Sequence, residues 1–209
     1  QRARMTDVLL PGGRDVRGTF AAPDGEVRAI VVACPPHPQH GGSRSDQRLV
    51  AVSKALREAG IGCLRFDYGP WDEGNGERED VRNAVRWARD EADGRPVGVF
   101  GYSFGATLAI LAAADLGPDA VAALAPTARL ACDLDALEAL AGLETPLSVL
   151  AGKRDTTADW EPIVDRARAR GDETTVLSAD HFFLGAVDDV STTVGSFFER
   201  TLLGSTVRD

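Results

Sequence analysis

Residues 97–114 have the sequence V-G-V-F-G-Y-S-F-G-A-T-L-A-I-L-A-A-A, and this stretch decides the predicted fold. The apolar run 97–100 is typical of a short buried strand, and the apolar pattern of 104–114 predicts a helix. Between them lies a G-x-S-x-G motif with Ser103 at its centre. A strand followed by a sharp turn and a helix is the setting in which this motif lifts a serine hydroxyl above a sheet. Ser103 is therefore a candidate nucleophile, and a serine that only caps the helix is the alternative interpretation.

Apolar strand-like runs alternate with helical patterns along the rest of the chain. We predict strands at residues 27–34, 61–68, 121–124, 147–151 and 174–177, and helices at 45–59, 80–92, 161–170 and 187–203. Such alternation favours right-handed crossovers and a mostly parallel sheet with helices on both faces. No repeat or linker divides the 209 residues, so we expect a single α/β domain over residues 1–209. In open sheets of this kind the chemistry lies at the carboxyl ends of the strands.

A serine at its ordinary pKa is a poor nucleophile and needs a neighbouring base. The chain has three histidines, His37, His40 and His181. When the nucleophile lies on a strand-to-helix turn, the order along the chain is serine, acid, histidine. Only His181 follows Ser103, and it comes shortly after the predicted strand 174–177, on the expected edge of the sheet. His181 is therefore the predicted base.

The acid of such a site must lie between Ser103 and His181 and should also follow a strand. Asp155 lies on the loop after a predicted apolar strand. Its carboxylate would accept the Nδ1 proton of the imidazole, which fixes the tautomer and stabilises the imidazolium. Asp159 is the alternative, although it falls where the next helix begins. Asp180 is adjacent to His181 and poorly placed to reach its ring.

These motifs together resemble those of the α/β-hydrolase superfamily, over most of the chain from about residue 27 to the last helix. The segment P-P-H-P-Q-H-G-G (35–42) resembles one in small lidless bacterial and archaeal serine hydrolases, which carry His-Pro-His-Pro followed by Gly-Gly. This chain has Pro35 where that group has its first histidine. The G-x-x-D of 152–155 and the D-H-F-F of 180–183 are also similar to that group. The resemblance implies a three-layer α/β-hydrolase fold without a large cap.

The resemblance also implies the chemistry of the site. Ser103, Asp155 and His181 would form a catalytic triad that needs no cofactor. An oxyanion hole would be formed by the backbone N–H of Phe104 and by that of His37, whose two neighbours are prolines without an N–H.

Three aromatic residues next to these segments are the candidates for substrate contact, namely Trp71, Tyr102 and Phe182. Trp71 lies in the loop 68–76, where an aromatic and two acidic residues replace the Arg-Gly-x-Gly-type loop of the group. Simple packing of Trp71 is the alternative interpretation. Because this loop differs, the substrate preference of the group does not carry over to this chain.

The spacing between the nucleophile and the acid leaves little room for an inserted cap. The interval from Ser103 to Asp155 must hold a helix, a strand and a connection, and only the stretch 128–143 is left over. We therefore expect an open site that cleaves small carboxylic esters through an acyl-enzyme, with a small-molecule ester as the partner. A peptidase, a thioesterase or a carbon–carbon hydrolase would use the same residues. A non-catalytic binding protein on the same fold is the alternative of a different class.

Composition argues against several classes of function. Lys and Arg total 23 and Asp and Glu total 32, for a net charge of −9, whereas nucleic-acid binders usually carry a basic face. The same charge disfavours an anionic membrane surface, and no apolar run approaches the roughly 18–20 residues of a membrane helix. Lysine occurs only twice among the basic residues, which is typical either of a halophilic source or of a GC-rich genome. For the oligomeric state, the sequence is compatible with a monomer or a homodimer.

The cysteines predict a reduced, cytoplasmic protein. Cys34, Cys63 and Cys132 are odd in number, widely spaced and without a C-x-x-C, and the chain opens without the apolar run of a secretory signal. The spacing Cys34-x-x-His37-x-x-His40 suits neither a closed zinc finger nor a helical metal site. We therefore predict no metal.

Overall fold

The computed structural model describes residues 4–204, and a central sheet of eight strands runs through them. These strands are β1 (Arg4–Leu10), β2 (Val16–Ala22), β3 (Ala29–Cys34), β4 (Ile61–Asp67), β5 (Val97–Tyr102), β6 (Ala120–Leu124), β9 (Leu147–Gly152) and β10 (Glu173–Leu177). Two shorter strands, β7 (Arg129–Ala131) and β8 (Leu134–Asp135), form a separate antiparallel ribbon. The spatial order of the central sheet is β1-β2-β4-β3-β5-β6-β9-β10. Only the β1–β2 and β2–β4 pairings are antiparallel, so the predicted mostly parallel sheet is confirmed.

Helices cover both faces of this sheet, as the alternating pattern predicts. They are α1 (Gln47–Glu58), α2 (Asn75–Ala92), α3 (Phe104–Leu116), α4 (Ala136–Ala141), α5 (Glu161–Arg170) and α6 (Val187–Leu203). The buried side chains of α1 and α6 belong to the core on one face, and those of α2, α3, α4 and α5 to the core on the other. Within residues 4–204, no helix is long and apolar enough to cross a membrane.

The two apolar layers explain the composition of the central elements. β3 and β5 are buried along their whole length, and their sequences A-I-V-V-A-C and V-G-V-F-G-Y are almost wholly apolar because both faces of the sheet are covered. Helix α3 is apolar on nearly every side because it packs between the sheet and the helices α2 and α4. This packing holds the carboxyl ends of β5, β9 and β10 at one edge of the sheet, where the loops that follow them carry the predicted site residues.

Several elements differ from the sequence prediction, among them β7, β8 and α4, which it does not include. The predicted start of a helix at residue 80 was wrong, because α2 begins at Asn75. The buried carboxylate of Glu77 accepts the backbone N–H groups of Asp72 (2.9 Å) and Gly74 (2.8 Å), which stabilises the earlier first turn. The sequence pattern also predicts no element before residue 27. In the structure, β1 and β2 form an antiparallel hairpin in that part of the chain.

Candidate active site

Ser103 lies on a sharp turn between β5 and α3. Its backbone has φ 55° and ψ −117°, a conformation that costs about 1–3 kcal/mol and is typical of functional sites. The backbone N–H of Ser103 donates to the carbonyl of Leu124 at 2.8 Å, which helps to hold this turn. Ser103 occupies the N-cap position of α3, but its side chain makes no capping hydrogen bond. The hydroxyl is therefore available for another partner.

The two glycines of the motif allow close approach of backbone segments. A Cβ at Gly101 would lie 2.7 Å from the backbone nitrogen of Ala106 and closer still to the carbonyl of Gly105. A Cβ at Gly105 would lie 2.8 Å from the carbonyl carbon of Cys34, inside the range that real Cβ atoms avoid. The missing side chains let the turn fold tightly and let the loop after β3 pack against it.

The structure brings Ser103, His181 and Asp155 together. The Oγ atom of Ser103 lies 2.9 Å from Nε2 of His181, and Nδ1 of His181 lies 2.7 Å from Oδ2 of Asp155. The Asp155 carboxylate is fully buried, and its Oδ1 accepts the backbone N–H groups of Thr157 (2.8 Å) and Ala158 (3.0 Å). With the Nδ1 proton donated to this anchored carboxylate, Nε2 is free to accept the proton of the serine hydroxyl.

The two alternative acids are placed differently from Asp155. The backbone N–H of Asp159 donates to the hydroxyl of Thr127 at 3.1 Å, beside the start of α5. The Oδ1 atom of Asp180 accepts the backbone N–H of Phe182 at 3.0 Å. In the described part of the chain, neither carboxylate forms a hydrogen bond with His181. The geometry therefore favours Asp155 over both.

The loop after β3 brings His37 next to the serine turn. The ring centroids of His37 and Phe104 are 4.9 Å apart, and both residues line the cavity in front of Ser103. A short 3-10 turn closes the loop, in which the carbonyl of His37 accepts the N–H groups of His40 and Gly42 at 3.0 Å each. The backbone N–H groups of His37 and Phe104 have no acceptor within residues 4–204. Two such amides beside a serine hydroxyl are suited to bind a developing oxyanion.

The surroundings of the His37 imidazole favour its neutral form over its protonated form. Its Nδ1 accepts the backbone N–H of Gln39 at 3.2 Å, and its ring stacks on His40 with centroids 4.4 Å apart. Burial, and then the neighbouring His40, lower the pKa of His37 below its usual value. Cys34 lies fully buried in β3, and over residues 4–204 no three His, Cys, Asp or Glu side chains are arranged to hold a metal ion.

Ser103 opens into a cavity of about 610 Å³. Of the three aromatic residues that we expected to contact substrate, Tyr102 and Phe182 line this cavity. Trp71 is not among the lining residues, so its expected role in substrate contact is not supported by the structure. Its ring packs on the rings of His37 (4.7 Å between centroids) and Phe104 (5.9 Å) instead.

Several residues that line the cavity were not among the predicted site residues. The connections after β6 and β9, the first of which includes β7, contribute apolar and hydroxyl-bearing residues to the walls, namely Thr127, Leu130, Thr157 and Ala158. These loops follow strand ends at the expected edge of the sheet, so their positions could have suggested them. Asp46 and Arg48, at the start of α1, also line the cavity, and no motif marks them in the sequence.

Comparisons with family models and with curated proteins do not identify the family of this chain. No family model matches this chain. An uncharacterized 31.7 kDa protein in the traX-finO intergenic region of Escherichia coli is 29% identical over 116 residues, which cover 49% of this chain and 38% of that protein. A second protein of the same description and organism is 30% identical over the same length. The chain thus covers well under half of the length of these relatives.

Solved structures are similar over nearly the whole chain. A serine hydrolase without a lid from Xanthomonas campestris superposes with a TM-score of 0.80 at 23% identity, covering 98% of each chain. An α/β serine hydrolase homologue from Coxiella burnetii has a TM-score of 0.79 at 24% identity, covering 92% of this chain and 96% of the other. An esterase from Pyrococcus furiosus has a TM-score of 0.80 at 20% identity, with 96% and 94% covered. The chain therefore has the α/β-hydrolase fold without a lid, as the motifs predict.

Proposed function

We propose that this chain is a serine hydrolase that cleaves small carboxylic esters through an acyl-enzyme. The observation that carries the proposal is the series of contacts from Ser103 through the imidazole of His181 to the buried carboxylate of Asp155, at 2.9 and 2.7 Å. A serine hydroxyl linked in this way to a buried carboxylate has the activation that acyl transfer requires.

The proposed reaction proceeds in two halves. His181 accepts the hydroxyl proton as Ser103 attacks the ester carbonyl, and the resulting oxyanion accepts hydrogen bonds from the backbone N–H groups of His37 and Phe104. Each such donor is typically worth about 3 kcal/mol of transition-state stabilisation. His181 then protonates the departing alcohol, which leaves an acyl group on Ser103. A water molecule activated by His181 attacks this acyl group and restores the free serine.

The shape and lining of the cavity support a small, neutral substrate. Its volume of about 610 Å³ is in the usual range for small-molecule sites. Leu130, Ala158 and Phe182 provide apolar surface for a short acyl or alkyl group. The guanidinium of Arg48 on the wall is paired with the carboxylate of Asp46, so its charge is already neutralised. Within residues 4–204, the connection from β6 to β9 holds only the short β7–β8 ribbon and α4, which favours a short acyl chain over a long one.

Hydrolysis of p-nitrophenyl esters of graded chain length tests this proposal. We expect the highest kcat/KM for short acyl groups, and a loss of at least about 10³-fold in the variant Ser103→Ala. Ser191→Ala, which removes a half-buried hydroxyl on α6 that donates to the carbonyl of Asp188, is the matched control and should behave as the unaltered protein. Full activity in Ser103→Ala would refute the proposed mechanism.

The same assay separates the proposed esterase from its alternatives. Acyl thioesters and peptide p-nitroanilides in the panel measure thioesterase and peptidase activity through the same residues. A preference for either over all oxygen esters would replace the proposed substrate class. If no acyl compound is cleaved and Ser103 reacts with no acylating agent, the chain is better described as a binding protein on this fold.

A further inference from the structure

The loop that carries His181 is held by side chains from two other elements. The backbone carbonyl of His181 accepts the hydroxyl of Tyr102 at 2.9 Å, and the carbonyl of Phe182 accepts Nη1 of Arg48 at 2.9 Å. Within the irregular loop, Asp180 accepts the N–H of Phe183 at its carbonyl (3.3 Å) and the N–H of Phe182 at Oδ1 (3.0 Å). The contacts from Tyr102 and Arg48 add support from outside the loop to the position of His181.

Arg48 is itself fixed and nearly buried. Its Nε donates to Oδ1 of Asp46 at 2.9 Å, its Nη2 pairs with Oδ2 of the same carboxylate, and its side chain is only 12% exposed. Its guanidinium carbon lies 4.5 Å from the centroid of the Tyr102 ring, which is a cation–π distance. Asp46 and the carbonyl of Phe182 together accept hydrogen bonds from all three nitrogen atoms of the Arg48 guanidinium. Arg48 is therefore better suited to supporting the loop than to binding an anion.

Tyr102 connects this support to the nucleophile. It is the last residue of β5 and directly precedes Ser103, and it is 2% exposed. One strand end thus carries the serine and also holds the backbone carbonyl of His181. Burial raises the pKa of Tyr102 to about 12, so its hydroxyl keeps its proton throughout the neutral range.

We propose that Tyr102 and Arg48 are positioning residues that hold His181 in reach of Ser103, and that Asp46 orients Arg48. This inference rests on the serine hydrolase function proposed above. Catalytic groups must be held within about 0.5 Å of their productive geometry, and a misplacement of about 1 Å costs on the order of 100-fold in rate. Loss of either contact should therefore lower kcat and leave substrate binding nearly unchanged.

Steady-state kinetics on p-nitrophenyl acetate test the positioning role. Tyr102→Phe and Arg48→Met should each lower kcat by about 10- to 100-fold, with KM within about twofold of the unaltered protein. Arg48→Lys should recover part of the loss, because it keeps the charge beside Asp46 without the planar fork. Arg200→Met, which removes an exposed ion pair with Glu173, is the matched control and should not change kcat. Urea unfolding of every variant identifies any loss that comes from the fold alone.

A readout independent of activity separates this inference from the proposed function. The imidazole resonances of His181 are followed by NMR at fixed pH, with the Nδ1 proton as a marker of the contact with Asp155. We expect that proton resonance to broaden in Tyr102→Phe and in Arg48→Met, but not in Arg200→Met. If Arg48→Met does not fold, Tyr102→Phe and Arg48→Lys still decide the question.

Three outcomes of these experiments distinguish the positioning role from its alternatives. Unchanged His181 resonances in folded Tyr102→Phe and Arg48→Met overturn the positioning role. An increase in KM with kcat unchanged also overturns it, in favour of substrate recognition. If the unaltered protein hydrolyses no ester while the His181 resonances respond to both substitutions, the positioning role holds and the proposed function fails.

Discussion

The substitution Gly105→Ala adds one methyl group where the serine turn meets the loop after β3. The new Cβ would lie 2.8 Å from the carbonyl carbon of Cys34 and closer still to the carbonyl oxygens of Cys34 and Pro35. These are backbone atoms, so the contact is relieved only if the loop and the turn move apart by several tenths of an ångström. That movement separates the two amides of the proposed oxyanion hole, because His37 follows the loop carbonyls and Phe104 begins the helix.

The expected cost in activity is large because both amides must point at one oxygen atom. Removing a single oxyanion donor typically costs about 10²- to 10³-fold in kcat, or about 2.7–4 kcal/mol. A displacement of a few tenths of an ångström weakens the hydrogen bond from His37 without abolishing it. We therefore expect kcat of Gly105→Ala to fall on the order of 100-fold, at the lower end of that range.

The assay compares kcat and KM for p-nitrophenyl acetate with urea unfolding of the same samples. Gly142→Ala is the matched control, because Gly142 has a negative φ of −108° and no atom within 4 Å of its would-be Cβ. We expect Gly142→Ala to behave as the unaltered protein. A folded Gly105→Ala protein with kcat within threefold of the unaltered protein would refute the close contact between loop and turn as the basis of the oxyanion hole.

Three further predictions concern titratable side chains of the site and of α2. Asp155→Asn should lower kcat by about 10³- to 10⁴-fold in the ester assay, because an amide no longer selects the tautomer in which Nε2 of His181 accepts a proton. Glu77→Ala leaves a buried backbone amide without its acceptor and should lower the free energy of unfolding in urea by about 1–3 kcal/mol. Glu79→Ala on the same helix, with half-exposed ion pairs, should change it by about 0.5 kcal/mol or less. Burial is the main cause that lowers the pKa of the His37 imidazole below its ordinary value of 6.5. As the pH falls, this imidazole therefore takes up a proton in the unfolded chain before it does so in the folded protein, and the folded state loses stability from about pH 6.5 downwards. His37→Gln should therefore show a smaller fall in Tm between about pH 7.5 and pH 5.

Each of these predictions has a clear contrary result. Near-normal kcat in Asp155→Asn would mean that another group orients the imidazole. Equal effects of Glu77→Ala and Glu79→Ala on unfolding would mean that the buried cap of α2 contributes nothing specific. An unaltered fall in Tm for His37→Gln would mean that other groups account for the acid sensitivity.

Much of the central fold could be predicted because its elements are buried on both faces. β3, β5 and β6 are unbroken apolar runs, and a strand that is covered on both sides requires such a run. The proximity of the site residues was predictable for a related reason. Ser103, Asp155 and His181 each follow the carboxyl end of a parallel strand, and those ends lie at one edge of the sheet.

The rest depends on contacts that leave little mark in the sequence. The edge strand β1 buries only Leu10 fully, so it has no apolar run by which to predict it. The contact from Arg48 to Phe182 joins residues 134 positions apart, and nothing in the sequence links Arg48 to the D-H-F-F motif. Trp71 is an aromatic residue in a loop, and only the structure distinguishes a ring packed on His37 from a ring in the cavity.

Intact-mass spectrometry after treatment with a fluorophosphonate tests whether a reactive serine exists at the edge of this sheet. We expect one covalent adduct, located at Ser103 by peptide mapping, with no adduct in Ser103→Ala and much slower labelling in His181→Gln. Labelling that is absent in the unaltered protein, or that proceeds equally fast without His181, would contradict the activation of Ser103 by that imidazole.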